Sequence, residues 1–163
     1  MTQIVQRLEI HCPYVRALQY FNGYLAHLGW TEQSNVVPLH LNVPLGPLGI
    51  GQGMALEKEV IATFERSPKH RGLEDTIAVT WRPEEANAPF PTFDGSLSLR
   101  AGTPKSCVLF LEGGYEPPFG VAGKVFDAAL GHRIADATAI QLLKEIGESI
   151  ELSFVQDEPH LSR

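Results

Sequence analysis

The sequence contains no apolar run near the ~18 residues that a membrane-spanning helix needs, so we expect no membrane span. No basic flank followed by an apolar stretch opens the chain, which predicts no signal peptide and, by default, a cytoplasmic location. The two cysteines, Cys12 and Cys107, lack CxxC spacing, so neither a zinc site nor a redox motif is indicated. Both lie in apolar segments and are predicted to be buried free thiols.

Basic residues are scarce. The 13 Lys and Arg residues stand against 19 Asp and Glu, which gives a net charge of −6. Such a surface repels nucleic-acid phosphates unless a local basic patch overrides it. The densest basic stretch, residues 69–71, falls in a predicted loop and is typical of a solvated turn. We therefore predict no nucleic-acid partner.

Local motifs of cofactor binding and catalysis are missing as well. Residues 49–53 (GIGQG) precede an alternating strand pattern rather than a helix, which favours a hairpin turn over a dinucleotide site. None of the six histidines pairs with another His or with Cys at ligand spacing, so we predict no metal and no cofactor. His132 and Asp136 are predicted to form a local pair on a helix. No Gly-x-Ser-x-Gly is present, although a triad built from distant segments stays open.

What the sequence does contain is a clear order of elements within a length that fits one domain. Apolar residues alternate in six strand-like segments: 4–12, 36–43, 54–66, 76–82, a segment around 93–99, and 106–115. Helical spacing is found in residues 14–29, where Val15, Leu18, Phe21, Leu25 and Leu28 form one face, in 119–130 and, after a break near Gly131, in 133–154.

The absence of βαβ alternation predicts an antiparallel sheet. A curved sheet cannot cover its own concave face, so we expect the long final helix to lie across it. The fold class is therefore α+β: a curved antiparallel sheet of about six strands wrapped around a long C-terminal helix. We place the domain at residues 1–156 and a flexible tail at 157–163. An NTF2-like cone is disfavoured because that fold normally ends on strands.

Two sequence blocks carry a resemblance to a known superfamily. The first is GGYEPPFG at 113–120, with Phe126-Asp127, GHRIA at 131–135 and the helix up to Glu151; the second runs from Trp81-Arg82 to FPTFDG at 90–95. They resemble the START-like, or SRPBCC, superfamily, which includes Bet v 1-type, polyketide cyclase-like and coenzyme Q-binding proteins. The resemblance implies a helix-grip fold. It leaves the function open, because the superfamily includes carriers, sensors, cyclases and other enzymes.

Aromatic residues accompanied by small side chains favour an internal cavity for a small hydrophobic or amphipathic molecule. We predict that its lining comprises Phe64, Trp81, Phe93, Leu97, Leu109, Tyr115, Phe126, Thr138 and Leu142. Access is expected near residues 46–53 and the 83–92 loop, because loops around a rigid cavity are natural gates.

Two other functions stay open beside carriage or sensing of such a ligand. The first is a cyclase-, aromatase- or hydratase-type enzyme, with Glu112, Tyr115 or His11 as acid or base. Glu112 would suit this role only if its face of strand 106–115 lines the cavity, and alternation alone does not decide which face does. The second is a protein-interaction module without a ligand, for which the cavity would be filled core. The oligomeric state is not indicated.

Overall fold

The computed structural model describes residues 2–44, 46, 53, 55–66, 74–85, 90–116 and 128–159. In chain order, the elements are β1 (Thr2–Ile10), α1 (Tyr14–His27), β2 (Val36–Pro44), β3 (Ala55–Arg66), β4 (Glu74–Pro83), β5 (Thr92–Ala101), β6 (Cys107–Glu116) and α2 (Ala128–Asp157). This order confirms the predicted α+β helix-grip class.

The six strands form a single curved antiparallel sheet in the order β1-β6-β5-β4-β3-β2. Strands β2 to β6 follow one another as a meander. The first strand joins the far edge, where Thr2 pairs with Tyr115 and Ile10 with Cys107. The two sequence-remote strands β1 and β6 are thereby neighbours, and both lie under α2.

Alternate residues of the strands point towards α2 and form the core with the helix. In β6 the inward residues are Cys107, Leu109 and Leu111, whereas Glu112 is exposed on the outer face. The sequence could not choose between these faces; the burial of the first three decides it. The predicted apolar stripe of the long helix is also buried, comprising Ile134, Thr138, Leu142, Ile146, Ile150 and Phe154.

The predicted break at Gly131 is wrong. Helix α2 runs without interruption through this residue, which is itself buried. A glycine in a helix costs only about 1 kcal/mol relative to Ala. Packing of an apolar stripe against the sheet outweighs such a local preference, because most helical stability in proteins comes from tertiary contacts.

Helix α1 passes through Gly23 and ends within the predicted segment 14–29. Gly29 has φ 95°, and the Trp30 amide donates to the Leu25 carbonyl oxygen at 3.0 Å, which is the Schellman arrangement. The predicted inner face is wrong at Val15, which is 63% exposed. Phe21 and Leu25 are buried as predicted, and Ala17 is buried with them.

Two paired glycines allow a close approach between β5 and β6. Gly95 lies opposite Gly113 in the register. A Cβ at Gly95 would meet the Glu112 carbonyl oxygen and lie 2.7 Å from the Phe93 ring; a Cβ at Gly113 would meet the Asp94 carbonyl oxygen and lie 2.9 Å from the same ring. Glycine kinks of this kind curve a sheet. Here they also make room for the Phe93 ring on the concave side.

A part-buried ion pair ties α1 to the sheet. Arg66 in β3 contacts Asp75 in β4 at 2.7 Å and donates to the Asn22 side chain at 2.5 Å. Its guanidinium lies 5.8 Å from the Trp30 ring centroid, and the Trp30 indole N–H donates to the Phe64 carbonyl oxygen at 2.8 Å.

Among the described residues, no helix is long and apolar enough to cross a membrane.

Candidate ligand-binding site

A small cavity lies between helix α2 and the sheet, close to the last residues of β4 and β6 and the first residues of β5 and β1. Its volume is about 10 Å³, room for roughly one water molecule. The lining is mostly apolar and comprises Ile4, Trp81, Phe90, Pro91, Thr92, Phe93, Tyr115, Ala135 and Thr138. The sequence analysis predicts a ligand-sized space between the sheet and the long helix, whereas the space present there holds about one water molecule.

Two stacked aromatic rings form the sheet side of this cavity. Trp81 and Phe93 are directly paired across β4 and β5, and their ring centroids are 4.3 Å apart at an interplanar angle of 19°. Cross-strand aromatic pairs of this kind stabilise a sheet. Both residues line the cavity.

Phe90 and Pro91 close another side of the cavity. Phe90 is only 2% exposed although it precedes β5 and belongs to no strand. Residues 86–89 of the same predicted access loop lie outside the described residues, as do 47–52 of the other one. The buried Phe90 ring fills space that a ligand would otherwise share.

One polar atom of the lining has no partner. Within the part of the chain that the structure describes, the buried Trp81 indole nitrogen makes no hydrogen bond. The Thr138 hydroxyl, by contrast, donates to the Ile134 carbonyl oxygen at 2.7 Å, so its proton is already used within the helix. A buried donor without an acceptor is unfavourable, and native proteins place few such groups outside functional sites.

A second unpaired polar atom lies next to the cavity. His132 Nε2 contacts the Asp136 carboxylate at 2.9 Å, which confirms the predicted local pair, and the Gln6 side chain donates to the same carboxylate at 3.2 Å. His132 Nδ1 is buried and has no partner among the residues that the structure describes. The ring centroid lies 5.9 Å from that of Tyr115. With its proton on Nε2, the imidazole presents a free lone pair at Nδ1.

The structure brings only some of the predicted site residues together. Four of them line the cavity: Trp81, Phe93, Tyr115 and Thr138. Four others are buried in the surrounding core without lining it: Phe64, Leu97, Leu109 and Leu142. Phe126 lies outside the described residues.

The three proposed acid–base residues differ in burial and in their position relative to the cavity. Tyr115 is buried and lines the cavity. Glu112 lies on the outer face of β6. The side chain of His11 is 79% exposed after β1, 3.9 Å from Glu9. Neither Glu112 nor His11 reaches the cavity.

Sequence reasoning missed several residues at this site. Phe90 and Pro91 belong to the resemblance block and to the predicted access loop, but neither was predicted to line the cavity, because an aromatic residue beside prolines indicates a turn. Ile4 sits at the start of a strand whose pairing partner is remote in sequence. No local pattern reveals that His132 meets Tyr115, since the two residues belong to different elements.

The cysteines are free and buried, as predicted. Burial raises the pKa of Cys12 and of Cys107 to about 12. Both thiols therefore stay protonated at neutral pH and are poor nucleophiles. In the described part of the chain, no three His, Cys, Asp or Glu side chains come together in a way that could hold a metal ion.

No family model matches the sequence, and no curated protein matches it significantly. Solved structures do match. The structure is similar to the Zhui aromatase/cyclase from Streptomyces sp. R1128, with 13% sequence identity and a TM-score of 0.57 over 93% of this chain and 94% of that chain. It is equally similar to a conserved protein from Geobacillus kaustophilus, with 13% identity and a TM-score of 0.57 over 93% and 97% of the two chains.

A START superfamily protein from Mycobacterium smegmatis also matches, with 13% identity and a TM-score of 0.49 over 94% of this chain and 97% of that one. At these identities the similarity concerns the fold, and the chemistry of a site has to be argued from the residues that form it.

Proposed function

We propose that this chain, which has the START-like (SRPBCC) fold, binds one small, largely apolar molecule between its sheet and helix α2. The observation that carries the proposal is the apolar cavity at that position, walled by the Trp81–Phe93 stack. Ligand sites are typically apolar hollows with a few polar groups that set orientation. Trp81, Tyr115 and Thr138 provide those groups here.

The cavity must widen to take a ligand. An engineered apolar cavity that binds benzene has a volume of about 150 Å³, far above the ≈ 10 Å³ present here. Phe90 and Pro91 are the lining residues best suited to move, because they precede β5 and are not fixed by strand pairing. The ligand would then bury its apolar body at roughly 25 cal/mol per Å² removed from water.

Native mass spectrometry of the protein isolated from its own cells tests the proposal. The cytoplasmic fraction is the starting material, because the sequence predicts that location. We expect a stoichiometric, apolar small molecule that is lost in Ala135→Leu, since a larger side chain at this lining position fills the space. Ile140→Leu is the matched control on the exposed side of the same helix, where Ile140 is 39% exposed. A protein that is empty, and stays empty after exposure to a lipid and polyketide extract, would overturn the proposal.

A second candidate function is acid–base catalysis on the bound molecule. It is favoured by the unpaired, buried His132 Nδ1, whose ring is fixed by Asp136 and lies against Tyr115. A histidine oriented by a carboxylate is a common general base. Incubation of the extracted ligand with the wild type and with His132→Asn distinguishes the two functions. A product formed only by the wild type supports catalysis, whereas an unchanged ligand bound by both proteins supports carriage.

A further inference from the structure

We infer that the ligand carries a neutral hydrogen-bond acceptor, of which a carbonyl oxygen is the simplest example, and that the Trp81 indole N–H donates to it. This inference rests on the proposed function and adds the chemical class of the ligand. Its starting point is that Trp81 is 4% exposed, lines the cavity and has an indole nitrogen without a partner.

The two tryptophans of the chain make the unpaired donor conspicuous. Trp30 is only half-buried, yet its indole N–H donates to the Phe64 carbonyl oxygen at 2.8 Å. Trp81 is more deeply buried, and its indole N–H has no acceptor among the described residues. Buried indole N–H groups usually find a partner. The position beside a cavity means that a bound molecule can supply one.

The other polar groups of the cavity lining limit which hydrogen-bonding and charged groups the ligand can carry. The Thr138 hydroxyl proton is already donated to the Ile134 carbonyl oxygen, so this side chain can only accept from a ligand. Among the described residues, those that line the cavity include no Lys or Arg, and an anion would enter such a site without a counter-charge. A neutral acceptor therefore fits better than a carboxylate or phosphate.

A pair of shape-matched probes tests the inference on the full chain. Acetophenone has a carbonyl oxygen where α-methylstyrene has a methylene group, and the two molecules are otherwise nearly identical. Nuclear magnetic resonance of the ¹⁵N-labelled protein shows one indole N–H signal for each tryptophan. The Trp81→Phe and Trp30→Phe variants assign the two signals.

We expect acetophenone to bind about 2- to 10-fold more tightly than α-methylstyrene, as one net hydrogen bond allows. The Trp81 signal should move downfield with acetophenone alone, and the Trp30 signal should stay in place because its donor is already bonded. Trp81→Phe keeps a ring in the wall and removes the donor, so the preference for acetophenone should disappear.

The possible failures are distinguishable. If both probes bind equally well, or if the Trp81 signal does not respond to acetophenone, the inference is wrong and the proposed function stands. If neither probe binds at millimolar concentration and the protein from cells is also empty, the proposed function is wrong and this inference fails with it. The signal of the unaltered protein decides the matter even if Trp81→Phe does not fold.

Discussion

The same Gly→Ala substitution should have opposite effects at two positions of this chain. Gly113→Ala should destabilise the fold, because the added Cβ would meet the Asp94 carbonyl oxygen and lie 2.9 Å from the Phe93 ring. Gly23→Ala should stabilise it, because Gly23 is exposed within α1 and a Cβ there would meet nothing within 4 Å. The two variants share chemistry and differ only in surroundings.

The size of each stability change depends on whether the atoms around the added Cβ can move away. Overpacking in a core costs about 1–3 kcal/mol, and Gly113 belongs at the upper end because one obstacle is backbone and cannot rotate away. For a domain of this size, 1 kcal/mol shifts the Tm by roughly 2–4 °C. Gly113→Ala should therefore lower the Tm by about 6–12 °C. Gly23→Ala adds about 1 kcal/mol through helix propensity and should raise the Tm by about 2–4 °C.

Thermal unfolding followed by circular dichroism measures both effects. The near-ultraviolet spectrum of Gly113→Ala should change as well, because the displaced Phe93 ring stacks on Trp81. A Gly113→Ala protein whose free energy of unfolding lies within about 0.5 kcal/mol of the wild type would refute the close approach of β5 and β6. A loss of stability in Gly23→Ala would refute the exposed position of that glycine.

Three further outcomes are expected. Asp75→Asn should lower the free energy of unfolding by about 2–3 kcal/mol in urea titrations. This loss is somewhat smaller than for a fully buried pair, because the side chain of Arg66 is 24% exposed. A loss below about 1 kcal/mol would contradict the ion pair. Gly29→Ala should cost about 1–2 kcal/mol in thermal unfolding, since φ is 95° there, and an unchanged Tm would rule this out. The free energy of unfolding should fall as the pH rises from 9 towards 12, by about 1.4 kcal/mol per pH unit for each buried thiol. Burial holds the pKa of Cys12 and Cys107 at about 12 in the folded protein, whereas the unfolded thiols ionise from their ordinary value of 9.0. An equally steep fall in Cys107→Ala would count against this cause.

The fold could be predicted where one face of an element is buried and the other is not. In β4, the buried residues Ile77, Val79 and Trp81 alternate with residues that are more exposed to solvent. The stripe of α2 is read in the same way at helical period. These patterns depend on neighbours along the chain, which is why the sequence alone reveals them.

The errors arise where contacts remote in sequence override local preference. Gly131 looks like a helix end, but α2 continues through it because the helix packs against the sheet. Val15 has helical spacing and is nevertheless exposed, since the buried face of α1 centres on Ala17. Burial of a glycine or exposure of a valine depends on where the neighbouring element lies.

Only those residues of the candidate site that lie within the regular strands could be predicted from the sequence. Trp81, Phe93 and Tyr115 are inward residues of regular strands, so alternation finds them. Phe90 is buried although it precedes its strand, and the contact of His132 with Tyr115 joins two elements. Neither has a periodic signal.

The pairing of the first strand with the last has a consequence for synthesis of the chain. β1 leaves the ribosome before the other five strands, but Thr2 can pair with Tyr115 only after β6 has been synthesised. At ordinary translation rates this delay is roughly 5–20 s. During that time Ile4 and Ile10, which are buried in the finished protein, have no strand to pair with. We therefore expect the nascent N-terminal strand to be a binding target for chaperones until β6 emerges.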